Sequence, residues 1–556
     1  MSFIKVKDER LNFESVDDAK FAVYSAPKMN VSVIPPQNLP GVGAGVNYLS
    51  YLLNNVGPNV GRSKLLWVNL QASFNVVGTN LPTTADGYNS YVGFKCFPIN
   101  RNVTSVQHVL NESTETYLTY QLIDWLSRLR QDADRIDFYE NLYQDCIINY
   151  NSAQGSNINP VTNYTSATLG EGTYKPRVLG LTVNAISNTQ ATFTVNIWEP
   201  LFTPFSGIPN KGMDIPALWN ITSENLQINI LNNFGDMFAV AFPQTGGNPT
   251  ITSISLNQIN SCNLYVNYLT GLPESVPMKS LTQFPKFQRF ATSIGNIAPN
   301  GQSSATVNIN SSTMPSLIAL MVKPNESSRT FTTGDYYAQI TGVQAQLDNG
   351  DIILNTYSTK NLYQMSRQNG LTDGWFQFNQ QNLLAVTANG ACYGSGSVIF
   401  INPAKDLNLG SSRTNCSQGK YTLTFTVQFN NPCSAGTGFT MNNMSLVAYC
   451  VNDAILSRDG TTYSTAILTY SDEEVRSATR EADHVEYTEF FDSKYNNLIL
   501  SGGGLFSKLK KHIKSAWAHR KQIMDVAKKG YELGKSAHSA YKTYKGSGDD
   551  LQMYYD

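Results

Sequence analysis

Short runs in which apolar and polar residues alternate occupy most of the chain up to about residue 470. A period of two is typical of a β-strand that buries one face. In the first half this pattern predicts strands at Val31–Ile34, Leu65–Leu70, Tyr91–Cys96, Val178–Val183, Ala191–Ile197, Leu226–Ile230 and Cys262–Tyr268. In the second half it predicts strands at Ala305–Ile309, Leu317–Val322, Tyr336–Val343, Val398–Ile401, Tyr421–Phe429 and Met444–Val451.

One stretch of this β-rich part has helical periodicity instead. Residues 116–146 place apolar side chains three and four positions apart, which predicts one amphipathic helix inserted in the first block. Its apolar stripe comprises Leu118, Leu122, Trp125, Leu126, Leu129, Ile136, Tyr139 and Leu142.

The strands divide into two blocks. A Pro-containing segment from Gly271 to Pro285 separates them, and we place the domain boundary between residues 272 and 273. About eight strands with connections of uneven length favour a Greek-key sandwich or jelly roll in each block. The predicted fold is therefore all-β, with consecutive jelly-roll β-sandwiches at 29–272 and 273–470 after an N-terminal arm at 1–28. No strict repeat relates the blocks, so the inferred duplication depends on the pattern alone.

Composition agrees with this fold class. The 556 residues include 40 Gly and 23 Pro, with 15% charged and 11% aromatic residues, which is typical of turn-rich β proteins. The seven cysteines are widely spaced and contain no Cys-x-x-Cys pair, which favours buried reduced thiols over a disulfide framework. The start lacks the apolar core of a signal peptide and no run of 18 apolar residues occurs, so we expect a protein made inside a cell.

The composition changes sharply at the run Leu500-Ser501-Gly502-Gly503-Gly504. Residues 471–503 are predicted to be an acidic linker that ends in this glycine-rich seam, and residues 504–556 a basic amphipathic tail. Three consecutive glycines disfavour helix and strand, so the seam is a hinge, a linker or a cleavage site. The acidic residues before it suit a solvated linker or a closing strand, and alternatively a screen for the basic tail.

The tail has the pattern of an amphipathic helix. From Gly504 to Lys545 eleven Lys or Arg accompany two acidic residues. The candidate apolar face comprises Leu505, Phe506, Leu509, Ile513 and Trp517. The candidate basic residues are Lys508, Lys510, Lys511, Lys514, Arg520, Lys521, Lys528 and Lys529.

Three uses fit such a tail. Its apolar face can enter a membrane interface while the lysines meet anionic headgroups. Its positive charge can neutralise the phosphates of packaged DNA independently of sequence. It can also dock by its apolar stripe on the protein itself. Phe506 and Trp517 favour the membrane.

Catalytic and metal-binding patterns are scarce. Of the five histidines, three lie in the tail, and only His108 lies upstream of the acidic segment. That leaves little for a Ser-His-Asp or Cys-His site. We find no clustered metal ligands and no nucleotide-binding glycine motif. We therefore expect no enzymatic activity, no metal and no cofactor.

Several short motifs of the second block are recognisable, namely Leu317–Pro324, Ser328–Phe331, Tyr337–Ile340, Leu362–Ser366, Asn369–Gly370 and Phe400–Leu407. They resemble motifs of double jelly-roll major capsid proteins, in particular those of polinton-like viruses, adintoviruses and virophages. In the first block, Asp124–Arg128 resembles part of the helical insertion of that family. The resemblance covers about residues 30 to 470. It implies a homotrimer that forms a pseudo-hexagonal capsomer in an icosahedral virion shell, beside neighbouring capsomers and a penton or minor capsid protein.

The seam resembles the site cut by adenovirus-type maturation proteases, which is an aliphatic residue, any residue and two glycines before the cut. The match is Leu500, Gly502 and Gly503, followed by Gly504. It implies a viral protease as a partner and release of the tail. The tail in turn resembles the membrane-disrupting minor capsid protein of adenoviruses.

Two other function classes stay open at this point. A viral spike or a carbohydrate-binding β-sandwich would have the same composition, and glycan binding would distinguish it. A glycosidase on a β-sandwich needs a pair of carboxylates at a defined separation, and the sequence does not single out such a pair.

Overall fold

The structure is a computed structural model. It describes residues 28–39, 48–53, 60–89, 92–126, 128–129, 180–205, 218–231, 233–240, 249–270, 281–331, 336–348, 350–356, 358–380, 396–409, 413–432, 440–459, 462–471 and 473–475.

The first jelly roll is built on two facing antiparallel sheets. Its strands are β1 (Lys28–Ile34), β2 (Tyr48–Leu53), β3 (Gly61–Thr79), β4 (Val92–Phe94), β5 (Val103–Leu110), β6 (Ser113–Tyr117), β7 (Leu181–Ala185), β8 (Gln190–Leu201), β9 (Leu218–Trp219), β10 (Glu224–Ile230), β11 (Phe238–Val240) and β12 (Thr250–Thr270). One sheet has the order β1-β12-β3-β8-β7 with β9 beside β3, and the other has the order β2-β10-β5-β6. The short strands β4 and β11 pair with each other.

The second jelly roll repeats this plan. Its strands are β13 (Leu281–Ile297), β14 (Gln302–Thr313), β15 (Leu317–Pro324), β16 (Gln339–Leu347), β17 (Asp351–Thr356), β18 (Val398–Ile401), β19 (Gln418–Asn430), β20 (Met441–Asp459) and β21 (Thr462–Ile467). One sheet has the order β13-β20-β15-β18 with β21 beside β20, and the other has the order β14-β19-β16-β17.

Helices are short in the described part of the chain. They are α1 (Asp86–Asn89), α2 (Pro98–Arg101), α3 (Thr119–Leu126), α4 (Thr359–Gln368), α5 (Trp375–Asn379) and α6 (Pro403–Asp406). Two 3₁₀ turns lie at Phe234–Met237 and Glu326–Ser328.

Each jelly roll has its own apolar core between its two sheets. Strand β8 shows how the alternation builds it, because Ala191, Phe193, Val195 and Ile197 are buried while Asn196 is exposed. Residues on one face of a strand point into the core and their neighbours point out, which confirms the period of two as the main signal.

Strand β15 differs from this rule, since all eight of its side chains are buried. One face of the sheet that contains β15 packs on the sheet β14-β19-β16-β17, and α3 covers the opposite face. Trp125 of α3 stacks on Tyr449 of β20 with ring centroids 5.3 Å apart, and it also contacts Phe287 and Phe400. Burial on both faces explains the continuous apolar run of β15.

The predicted helix at 116–146 is wrong at its start. Thr116 and Tyr117 belong to β6, where Glu115 and Tyr117 are buried and their neighbours are exposed, so the period there is two. Leu118, which we assigned to the apolar stripe, is 46% exposed between the strand and the helix. Helix α3 begins at Thr119 and ends at Leu126, so the prediction is also wrong at Leu129, which forms an isolated β-bridge with Leu371. The predicted continuation from 130 to 146 lies outside the described residues.

Other predictions fall partly or wholly outside the described residues. These include the arm at 1–27, the domain boundary at 272/273, the acidic linker beyond residue 475, the seam and the entire tail. Lys28, which we assigned to the arm, is the first residue of β1. The segment Gly271 to Pro285, predicted as a spacer, ends inside β13.

Candidate functional site at the junction of the jelly rolls

A buried network of charged side chains joins the two jelly rolls. Its first centre is Asp124 of α3, whose carboxylate accepts two hydrogen bonds from the guanidinium of Arg329, one of them 2.9 Å long. The ammonium of Lys323, at the end of β15, lies 3.3 Å from the same carboxylate. Burial alone would raise the pKa of Asp124, but the charges of Arg329 and Lys323 outweigh it and hold the pKa well below its usual range.

Lys323 is held from several sides. Its Nζ lies 2.8 Å from a carboxylate oxygen of Glu326 and 3.3 Å from the backbone oxygen of Gln121, to which it donates. It also lies over the ring of Tyr449, 5.4 Å from the centroid. Burial lowers the pKa of Lys323, yet Glu326, Tyr449 and Asp124 together raise it above its ordinary value. Lys323 is therefore a charged ammonium in the core.

The second centre is Asp236, in the 3₁₀ turn of the first jelly roll. Lys95 approaches one of its carboxylate oxygens to 2.6 Å. Arg101 and Arg329 lie 3.7 and 3.9 Å from the other oxygen. Arg329 thus bridges Asp124 and Asp236, and the two centres form one network.

Backbone hydrogen bonds hold the segment around Arg329 against the first jelly roll. Lys95 donates to the carbonyl of Thr330 at 2.6 Å, and the Asn233 side chain donates to the carbonyl of Arg329 at 2.8 Å. The amide of Val240, at the end of β11, donates to the carbonyl of Phe331 at 3.0 Å. A loop of the second jelly roll is therefore fixed to the first by main-chain and side-chain bonds together.

A second group of contacts between the jelly rolls is centred on Arg128, two residues after the end of α3. The Arg128 guanidinium donates to the carbonyl of Gly396 at 2.9 Å, lies 3.4 Å from Asp373 and covers the ring of Tyr337 at 4.0 Å. Its backbone carbonyl accepts from the amide of Thr372 at 2.9 Å. A helix inserted in the first jelly roll is thereby part of the core of the second.

A second, smaller contact between the two jelly rolls lies apart from the charged network. Buried side chains from both jelly rolls form one apolar cluster of Leu110, Phe205, Leu218, Ile221, Phe284, Ala454, Leu456 and Tyr463. Beside it, Glu115 of β6 accepts from Lys286 at 3.2 Å and from Thr465 at 2.8 Å. The two jelly rolls are therefore joined at two separate places.

His108, the histidine singled out in the sequence, is fully buried beside Arg62 and Glu224 of the first jelly roll. Its Nε2 lies 2.5 Å from Glu224, whose carboxylate also pairs with Arg62. Burial, with the charge of Arg62, lowers the pKa of His108 well below its ordinary value. His108 is therefore a neutral residue in the core.

The chemistry of the junction is that of a structural ion network. The carboxylates of Asp124, Asp236 and Glu326 each lie beside at least two cationic groups. Such pairs hold each other in the charged state in a low-dielectric interior. Within the described residues there is no group of three or more potential metal ligands. No helix in that part of the chain is long and apolar enough to cross a membrane.

The four cysteines that the structure describes are buried, reduced thiols, as predicted for them. The predicted cleavage and tail residues, from Leu500 to Lys529, lie outside the described residues. The sequence did not single out the junction as a site, although the motifs Asp124–Arg128, Leu317–Pro324 and Ser328–Phe331 contain its central charges. The sequence feature that could have indicated the junction is Lys323, a charged residue near the end of an otherwise apolar strand.

Comparison with known proteins shows similarity to viral capsid proteins. Residues 284–454 match the family model described as major capsid protein V20 C-terminal domain. Over 513 residues the chain is 23% identical to capsid protein V20 of Sputnik virophage, an alignment that covers 86% of this chain and 83% of that protein. The second jelly roll therefore matches the family of major capsid protein V20 C-terminal domains, and the chain as a whole is similar to a virophage capsid protein.

Solved structures confirm the double jelly-roll fold of this chain. A chain of the cryo-EM structure of Sputnik virophage aligns with a TM-score of 0.70 at 21% identity, covering 88% of this chain and 97% of that one. The crystal structure of mavirus major capsid protein aligns with a TM-score of 0.63 at 18% identity, covering 85% of this chain and 97% of that one.

Proposed function

We propose that three copies of this capsid protein form a pseudo-hexagonal capsomer of an icosahedral shell. The observation that supports this most directly is the buried junction, which fixes two jelly rolls in one rigid unit. Three chains place six similar jelly rolls around a threefold axis, and this arrangement is suited to hexagonal packing. A capsomer of this kind has neighbouring capsomers and a penton or minor capsid protein as partners.

The test is the oligomeric state of the full-length protein. Sedimentation velocity should give a species of three times the chain mass of 61.4 kDa, and electron micrographs of that species should show a six-lobed outline. A monodisperse monomer at high protein concentration would contradict the proposal.

We also propose that a viral maturation protease cuts between Gly503 and Gly504. The support is the match at Leu500, Gly502 and Gly503, at the point where composition changes. Intact mass of the protein from mature particles should show a product ending at Gly503, and Gly503→Val should remove it. A single full-length mass from infectious particles would make the seam a hinge.

The released tail is proposed to act on membranes. A fragment from Gly504 to Lys545 should release dye from vesicles that contain anionic lipid. Replacing both Phe506 and Trp517 by Ser should abolish leakage because it removes the largest apolar side chains of the face, while the charge is unchanged. Equal leakage by this double variant, or salt-sensitive DNA binding without any leakage, would favour packaged DNA as the partner.

A further inference from the structure

One side of the first jelly roll exposes an unusual number of large apolar side chains. We call it the β1–β2 edge and define it by Met29, Val31, Val33, Leu39, Tyr48 and Leu52. Each of these side chains is between 40 and 57% exposed. Among the residues that the structure describes, eleven large apolar side chains are exposed, and these are six of them.

The geometry joins these residues into one surface. Strand β1 is terminal in its sheet and β2 is terminal in the facing sheet. The amide of Gln37 donates to the carbonyl of Ser50 at 2.7 Å, and Asn38 exchanges side-chain hydrogen bonds of 2.8 Å with the backbone of Tyr48 and Ser50. These bonds tie the ends of the two terminal strands together, so the six residues lie along one edge of the sandwich.

The same stretch carries no charge. From Met29 to Gly61, 33 consecutive residues contain no Asp, Glu, Lys, Arg or His. Terminal strands of soluble proteins are usually protected by charged side chains, and lysine is common there. Charge depletion combined with exposed apolar side chains is typical of the core of a protein interface.

The second jelly roll carries a surface with few charges. Strands β14 and β16 contain no charged residue, while β19 contains Lys420 and β17 contains Asp351. Within the described ranges, Ile352 of β17 is the one large apolar side chain of this jelly roll that is exposed, at 52%. Strand β17 is terminal in its sheet. Two surfaces with so few charges lose little charge hydration when they meet.

We propose that the β1–β2 edge of one copy packs against the β17 side of a second copy within the capsomer. A threefold ring needs a heterologous contact, in which two different surfaces of the chain meet. The β1–β2 edge and the β17 side lie on different jelly rolls, and each combines few charges with at least one exposed large apolar side chain on a terminal strand. The inference rests on the proposed trimer, whose subunit contact it specifies.

Lysine substitutions test the contact. Val33→Lys and Leu52→Lys place a charge in the edge, and Ile352→Lys places one on the proposed partner surface. Ile186→Lys is the matched control, because Ile186 is 63% exposed directly after β7, at the opposite end of the same sheet from β1. Mass photometry over a dilution series measures trimer dissociation, and circular dichroism verifies the fold of each variant.

An uncompensated charge in an interface core should raise the concentration of half-dissociation by roughly 10- to 100-fold in the three test variants. The control should stay within about twofold of wild type, as expected outside an interface. Intact trimers of Val33→Lys and Leu52→Lys would overturn the inference, and so would an effect of these two without one of Ile352→Lys. A wild-type protein that is monomeric would instead overturn the proposed trimer.

A measurement on the unmodified protein avoids variants that fail to fold. Hydrogen exchange of wild-type protein should show slower exchange in β1, β2 and β17 in the trimer than after dilution to monomer. Equal exchange rates of these three strands in both states would overturn the inference.

Discussion

Replacing Asp124 by Asn removes one charge from the junction and leaves the size of the side chain unchanged. The carboxylate lies 3.3 Å from the ammonium of Lys323 and accepts two hydrogen bonds from Arg329. At an effective dielectric constant of about 20, opposite charges at this distance attract by roughly 5 kcal/mol. Lys323 keeps Glu326 at 2.8 Å and Arg329 keeps Asp236 at 3.9 Å, so part of the stabilisation survives.

We therefore expect Asp124→Asn to lower the free energy of unfolding by about 3–5 kcal/mol, the usual cost of leaving a buried charge without its partner. Urea titration at a fixed protein concentration, followed by tryptophan fluorescence and circular dichroism, measures it. Asp348→Asn is the matched control, because Asp348 is 41% exposed and its pair with Arg413 at 3.5 Å should contribute less than about 1 kcal/mol. If Asp124→Asn costs no more than this control, the network does not hold the jelly rolls together.

The pH dependence of the same variant gives a second readout. Because the pKa of Asp124 is lowered in the folded protein, its contribution is complete above the ordinary value of 3.8 and is lost as pH falls below it. The stability difference between wild type and Asp124→Asn should be constant from about pH 8 to 5 and shrink in stronger acid. A difference that already disappears between pH 7 and 5 would contradict the assigned direction.

Three further predictions concern single sites. Trp125→Ala should lower the free energy of unfolding by about 3–5 kcal/mol in urea titrations, since it empties a fully buried contact between α3 and the second jelly roll. Because the pKa of His108 is lowered in the folded protein, the unfolded chain binds the proton more readily, and the free energy of unfolding of wild type should fall as pH falls below 6.5. The free energy of unfolding of His108→Gln should fall less over the same range, and equal pH slopes for the two proteins would contradict the prediction. Gly396→Ala should lower the temperature of thermal unfolding more than Gly295→Ala does. Both glycines have positive φ, but of the two only Gly396 would place a Cβ against a backbone oxygen, that of Tyr337, at 2.1 Å.

The strands were predictable where one face is buried. Runs such as Ala191–Ile197 and Tyr421–Phe429 lie inside β8 and β19, because alternation reports a half-buried strand directly. Strand β13 was missed because Pro285, Lys286 and Arg289 interrupt its apolar pattern. It lies at the end of its sheet, where proline and charge are tolerated.

The junction could not be derived from local pattern. Asp124 and Arg329 are 205 positions apart, and their contact follows from how the two jelly rolls dock. A charged residue in an apolar run such as Lys323 indicates that a partner exists, but the sequence does not say which one. The resemblance to capsid proteins selected the right motifs, and the geometry supplied the reason for their charges.

The buried junction also bears on how a shell can curve. Mobile salt ions screen charges that water reaches, and the side chains of Lys323, Asp124 and Asp236 are almost fully enclosed. We therefore expect the angle between the two jelly rolls to be insensitive to ionic strength and to resist bending. In a shell of such stiff subunits the curvature arises at the contacts between copies. Substitutions on the surfaces that contact other copies should therefore change particle size, and substitutions in the core should not.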